Sequence, residues 1–175
     1  MKSKGIENKY NEIVYKEDSR RVFINTFLEL AKNDPTMCLI IPDVGFGYVN
    51  QNTLPGRYFN TGVTEYTSCV IAAAMALSGL KPYFYSMIPF VTFRVHEQIR
   101  NAICLHNANV KILGVLGGPS YKMLGPSHNL LYPLEDVDMM KTLPGMQIYL
   151  PKTNEDVRAM VLDAYSHEKP SYIRL

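Results

Sequence analysis

Short, wholly apolar runs alternate with stretches of helical period along this chain, and that alternation leaves few folds open. TMCLIIPD, residues 36–43, carries no charge or amide between Met37 and Pro42. A strand with one face in water alternates apolar and polar residues. A continuous apolar run instead suits a parallel strand buried on both faces, with a functional loop at its carboxyl end. Ahead of it, RRVFINTFLELAKN sets Val22, Phe23, Phe27, Leu28 and Leu30 at helical spacing, with Asp18 or Ser19 placed to cap the helix. The pair then recurs. Thr64 caps a helix running to Ala76 and closed by Gly79, Pro82 to Ser86 reads as a strand, Phe90 to His106 is helical in period, and Val110 to Leu116 is a strand. Beyond residue 133, EDVDMMKTL is a short helix, QIYLP a strand, NEDVRAMVLDAYSH a helix capped by Asn154, and SYIRL a last strand. The expected fold is α/β, a three-layer α/β/α arrangement around a mainly parallel sheet.

A chain of 175 residues is long enough for one ordinary core and short for two. One domain is expected over residues 18–175, preceded by a loose arm at 1–17 whose sequence has no hydrophobic period. With 47% hydrophobic residues, 19% charged and a formal charge of +2, the composition is globular and gives no support for nucleic acid binding. The polar opening has no apolar signal core, and no run approaches the ~20 apolar residues of a membrane span. A soluble, cytoplasmic protein is expected, with no membrane partner. Cys38, Cys69 and Cys104 are odd in number and lie in apolar surroundings without close ligand spacing, which favours buried free thiols over disulfides or a metal site.

Two features carry chemistry. GRYFNTGVTEYTSCVIAAAMALSG, residues 56–79, sets a lone carboxylate, Glu65, before two turns that are small and apolar. Held against Val70, Ile71, Ala72 and Ala73, its proton affinity would rise. On the residues alone, a first-turn glutamate favoured by the helix dipole is the preferred account. The second feature is the seventeen-residue stretch GGPSYKMLGPSHNLLYP, residues 117–133. It is too long for a passive connection, and it follows a strand, so it belongs at the carboxyl edge of the sheet where open α/β folds bind ligands. His128 is its candidate ligand contact, or else a bond to the loop backbone.

Three segments in order, GRYFNTGVTE, FVTFRVH and GPSHN, resemble the pyrimidine-binding domain of transketolase-type thiamine diphosphate enzymes. That group also holds deoxyxylulose phosphate synthase and the 2-oxoacid dehydrogenase E1 beta subunits. The resemblance covers roughly residues 18 to 175 and implies the thiamine diphosphate-binding fold. It implies that Glu65 bonds the pyrimidine N1′ atom of thiamine diphosphate and promotes the imino tautomer, which asks for a neutral carboxyl. Phe93 resembles the aromatic that stacks on the aminopyrimidine, with Phe90 beside it and His96 where transketolases carry tyrosine. Their spacing of three also suits plain core packing. Asp43, in IPDVGFG, matches an acidic residue near the cofactor, or is a post-strand turn aspartate. Arg20 resembles an arginine that reaches a sugar phosphate, or is a solvated helix-end arginine. His128 is implied in contact with the donor or its adduct, as both catalytic and substrate-binding residue.

Departures accompany the matches. The family's aspartate before its Gly-Pro-Thr-His loop is replaced by Leu124, which cannot replace its hydrogen bonds to sugar hydroxyls. Its His-Asp-Ser run is replaced by Leu116, Gly117 and Gly118. An ordinary ketose phosphate is therefore not the expected substrate. The family holds the diphosphate through Mg2+ on a separate domain with a Gly-Asp-Gly motif, and no Asp-Gly pair occurs here. This implies a diphosphate-binding partner subunit or domain, in a homodimer or heterotetramer, with no metal ligand on this chain. The family's C-terminal domain is also missing after SYIRL, so the chain is a natural split subunit or a truncated piece, and Met1 with its leader favours the former. Two-carbon ketol transfer is the expected reaction, with 2-oxoacid decarboxylase or dehydrogenase E1 beta chemistry, or a non-catalytic binding module, as alternatives.

Overall fold

The computed structural model describes residues 18–42 and 49–175; the arm at 1–17 and Asp43 lie outside the described residues. Six strands are present among the described residues: β1 (Met37–Ile41), β2 (Tyr58–Asn60), β3 (Lys81–Met87), β4 (Lys111–Val115), β5 (Gln147–Tyr149) and β6 (Ser171–Arg174). They form one sheet in the order β2-β1-β3-β4-β6-β5, with every neighbouring pair parallel. Helices α1 (Ser19–Ala31), α2 (Glu65–Leu77), α3 (Ile88–Val91), α4 (His96–Gln98), α5 (Glu135–Met140) and α6 (Asn154–Ser166) connect and cover it.

The continuous apolar runs have the meaning expected of them: β1, β3 and β4 each feed two cores. Leu39 and Ile41 of β1, Tyr83 and Tyr85 of β3, and Leu113 of β4 pack against Phe23, Ile24 and Phe27 of α1 and Val157, Val161 and Ala164 of α6. The intervening residues Ile40, Phe84 and Ile112 face the other way, onto Cys69, Ala72 and Ala73 of α2, the 91–104 helical segment and Met140 of α5. Successive side chains of a strand point to opposite faces, so an all-apolar strand requires cover on both. The result is the three-layer α/β/α fold expected.

The chain leaves the carboxyl end of β1 toward β2 on one side, and that of β3 toward β4 on the other. This reversal between adjacent strands opens a crevice at the carboxyl edge, the place where such sheets bind ligands. Arg57 braces the opposite corner: its Nη1 donates to the carbonyls of Ala31, Asp34 and Met37 at 3.1, 3.0 and 3.2 Å, tying the end of α1 to the start of β1.

Several local expectations are corrected. Thr64 precedes α2 but makes no side-chain cap; its hydroxyl donates to the Thr61 carbonyl instead (2.9 Å). Thr153, not Asn154, caps α6, through a reciprocal capping box with Asp156. The strand β2 lies inside GRYFN, where no strand was expected; three residues are too few for a pattern. Phe90 to His106 is not one helix. It passes from α3 through a 3-10 turn (Phe93–Val95) and α4 into a π-helical stretch (Ile99–Cys104), with Thr92 at φ −122°, ψ −84° marking the break. The buried Thr92 hydroxyl donates to the Ile88 carbonyl at 2.6 Å, a back-bond that competes with regular helix.

Candidate functional site

Glu65 opens α2 directly after the turn made by Gly62, whose φ of +68° is one that only glycine adopts without strain. Its side chain is 3% exposed. The surroundings differ from those expected. Val70 and Ile71 are 40% and 43% exposed and look outward, while only Ala72 and Ala73 lie in the core beneath. The partner of the carboxylate is a cation: Arg94 Nη1 donates to Glu65 Oε1 at 2.6 Å. The same guanidinium lies over the ring of Phe90, 3.9 Å from its centroid. Arg94 was not expected in the site. Its only signal in FVTFRVH was a lone cation in an otherwise apolar run, with nothing local to pair it with a carboxylate 29 positions earlier.

The broken 88–104 segment distributes the three aromatic candidates differently from a single helix face. Phe93 lines a cleft of about 400 Å³ together with Pro89, Arg94, Pro126, Ser127, Asn129, Leu131 and Glu135. Phe90 is buried beneath it at 5% exposure and meets the His128 ring edge to face at 5.0 Å. His96 is half-buried, and its Nε2 has no hydrogen-bond partner. An unsatisfied buried nitrogen is costly, so it marks a position where a further polar group would be accommodated.

His128 comes from a 3-10 stretch, Pro119–Ser127, interrupted at Gly125. Ser127 Oγ lies 2.8 Å from His128 Nδ1, and the Tyr121 ring stacks on the imidazole at 6.3 Å. The position of Gly117 is explained by the same ring: a Cβ there would lie 3.0 Å from Met87 Cε and 3.1 Å from Tyr121 Cβ. Leu116 and Leu124 are 42% and 45% exposed.

The structure thus links Glu65 to Phe90 through Arg94, Phe90 to His128 by a ring contact, and sets Phe93 beside Arg94 in the cleft lining. It does not bring Arg20 there. Arg20 sits in the first turn of α1, in the layer opposite α2, and its Nη2 pairs with Asp18 Oδ2 at 2.5 Å. The cysteines are free and buried; burial pushes Cys38 and Cys69 up to about 12 and Cys104 to about 11, which leaves them inert as nucleophiles near neutral pH. Among the described residues no three His, Cys, Asp or Glu side chains cluster to hold a metal ion, and no helix is long and apolar enough to cross a membrane.

A cleft lined by Phe93 and by Arg94, the partner of a buried carboxylate, suits a planar, nitrogen-bearing ring such as an aminopyrimidine. Residues 16–175 match the family model described as transketolase, pyrimidine binding domain. The chain is 32% identical over 160 residues to one of the subunits of the apulose-4-phosphate transketolase of Phocaeicola vulgatus, covering 89% of this chain and 50% of that protein. It is 30% identical over 159 residues to the 6-deoxy-6-sulfo-D-fructose transketolase subunit SqwH of Clostridium sp. (strain MSTE9), covering 89% and 48%. A solved structure described as a split gene transketolase, inactive beta4 tetramer, superposes with a TM-score of 0.78 at 31% identity, over 90% of this chain and 50% of that one. The chain therefore spans about half the length of these three relatives.

Proposed function

The chain belongs to the transketolase pyrimidine-binding domain family, and we propose that it supplies the pyrimidine half of the cofactor site in a thiamine diphosphate-dependent enzyme that transfers a two-carbon ketol unit. The observation that carries this is the buried carboxylate of Glu65 at the head of α2, held by Arg94, which with Phe93 lines the cleft and lies on the ring of Phe90, itself in contact with His128. In this reading Glu65 bonds the pyrimidine N1′ atom, Phe93 provides the stacking face, Phe90 and His96 complete the wall, and His128 contacts the donor. The cofactor, when bound, supplies the carbanion chemistry; the protein orients it and tunes its electronics. Asp43 and Arg20 remain proposed as an acidic residue near the cofactor and a sugar phosphate contact.

The diphosphate and its Mg2+ are assigned to a partner chain or domain, in a homodimer or heterotetramer. Support comes from the openness of the cleft and from α2, whose outward residues Tyr66, Val70, Ile71 and Leu77 are all exposed and uncharged. Such a face is expected at an interface. The two curated relatives are subunits of transketolases by name. A cytoplasmic setting is part of the same proposal, in keeping with three unpaired thiols.

Reconstitution with a diphosphate-binding chain, thiamine diphosphate and Mg2+, assayed against ketose donors and against 2-oxoacids, tests the reading. Ketol transfer by the complex alone is expected. Turnover by the isolated chain would sink the two-part site, and exclusive 2-oxoacid decarboxylation would replace the proposed reaction with its E1 beta-type alternative.

A further inference from the structure

Arg94 occupies a telling position. Its guanidinium is planar, carries N–H donors, bonds the buried carboxylate of Glu65 at 2.6 Å and lies on the ring face of Phe90 at 3.9 Å. A cationic or neutral aminopyrimidine has the same three properties: a flat face, N–H groups on its edge and an affinity for an aromatic wall. The geometry points to Arg94 as an internal stand-in for the ligand, which holds Glu65 and covers Phe90 in the ligand-free chain and must be displaced before a pyrimidine ring can enter. This rests on the pyrimidine site proposed above.

The local backbone allows such an exchange. Arg94 lies in the short 3-10 turn Phe93–Val95, between Thr92 at φ −122°, ψ −84° and Val95 at φ −126°, ψ 20°, so no helical ladder fixes its direction. Its side chain is 39% exposed and lines the cleft, so water is available to it once it leaves the carboxylate. Glu65, at 3% exposure, has no such alternative and needs a new partner when Arg94 goes. A ligand that offers N–H donors satisfies that need; one that offers only an apolar or anionic surface does not. Arg94 therefore acts as a gate that selects ligand chemistry and spares the empty site an unpaired buried carboxylate.

Titration of thiamine into this chain, followed by amide NMR shifts at Glu65, Phe93 and His128, tests the displacement. Arg94→Met keeps the stem without the planar cation. Arg94→Lys keeps a cation for Glu65 and loses the stacking fork, which guards against a Met variant that fails to fold. If Arg94 fills the site about nine-tenths of the time, removing it tightens thiamine binding about tenfold, and the Lys variant falls between. Guanidinium ion at millimolar concentration should compete with thiamine for Arg94→Met and raise that variant's melting temperature, while leaving wild type unchanged. Equal or weaker thiamine binding by both variants overturns the displacement and makes Arg94 a fixed part of the site. Absence of thiamine binding to all three chains overturns the pyrimidine reading and this inference with it. Guanidinium stabilisation of Arg94→Met in that case leaves only an ion-pair site.

Discussion

The ring of Phe90, just past the carboxyl end of β3, meets the imidazole of His128, in the β4–α5 connection, edge to face at 5.0 Å. One contact thus ties the long connection to the sheet edge beside the cleft. The Tyr121 ring on the other side of His128 extends the stack, and Arg94 lies on the remaining face of Phe90.

Phe90→Ala is expected to loosen this connection as well as the core. Truncating a buried phenylalanine costs about 3–5 kcal/mol. The amides of Tyr121 and His128, which bond the Gly118 and Gly125 carbonyls within the loop, should exchange with solvent faster relative to those of β3. Hydrogen exchange checks this; uniform loss of protection across sheet and loop alike would mean that Phe90 serves the core only.

Glu65→Gln separates chemistry from stability. Glutamine keeps the volume but removes the charge that pairs with Arg94, and Arg94, at 39% exposure, regains water. The melting temperature of the isolated chain should change little. In the reconstituted enzyme turnover should fall by ~10²–10⁴-fold, the usual weight of a positioned acid or base. Near-normal turnover at saturating thiamine diphosphate would reduce Glu65 to a helix-start residue.

Lys111 makes stability depend on pH. It is 1% exposed, its Nζ donates to the carbonyls of His167 and Lys169 at 3.0 and 2.8 Å, and burial, followed by the nearby Lys81 cation, pushes its ammonium down from 10.5 to about 7. Between these values the unfolded chain binds more protons at this site than the folded one, so stability rises with pH across the window. From about pH 7 to 8.5, below the range where thiol and phenol ionisation opposes it, wild type should gain about 1.4 kcal/mol per pH unit relative to Lys111→Met. Urea unfolding of the two proteins at matched pH values gives the difference; parallel curves would show that Lys111 titrates as an exposed lysine.

Arg57→Met tests whether the arginine of GRYFNTGVTE serves structure rather than ligand. Three carbonyls at the corner between α1 and β1 lose the hydrogen bonds of the guanidinium, and a charge-assisted hydrogen bond is worth about 1.5–3 kcal/mol. The unfolding free energy should fall by that much, read as a lower urea midpoint at an unchanged slope, with thiamine diphosphate affinity of the reconstituted complex unaltered. A selective loss of affinity at normal stability would place Arg57 in the site after all.

Much of the architecture was legible in the sequence because its causes are local. MCLII is apolar at every position, and that alone calls for a strand covered on both faces; the stripe through Phe23 and Phe27 calls for the helix that covers one of them. The order of GRYFNTGVTE, FVTFRVH and GPSHN named the family and pointed to Glu65 and His128. Local signals also have limits. The capping of α6 by Thr153 rather than Asn154 turned on which side chain reached Asp156, and the break at Thr92 on a hydroxyl choosing the Ile88 carbonyl.

By itself the sequence determined the class of fold, most of the order of its elements, and the family, since periodicity and motif order are properties of the chain. Tertiary structure alone decided which charges meet. Glu65 was expected against apolar side chains and instead faces Arg94, because the sheet brings the start of α2 beside the turn after α3 and a buried carboxylate takes the nearest cation. Phe90 and His128 meet for the same reason: adjacent parallel strands deliver their carboxyl-end loops to one edge, whatever separates them along the chain.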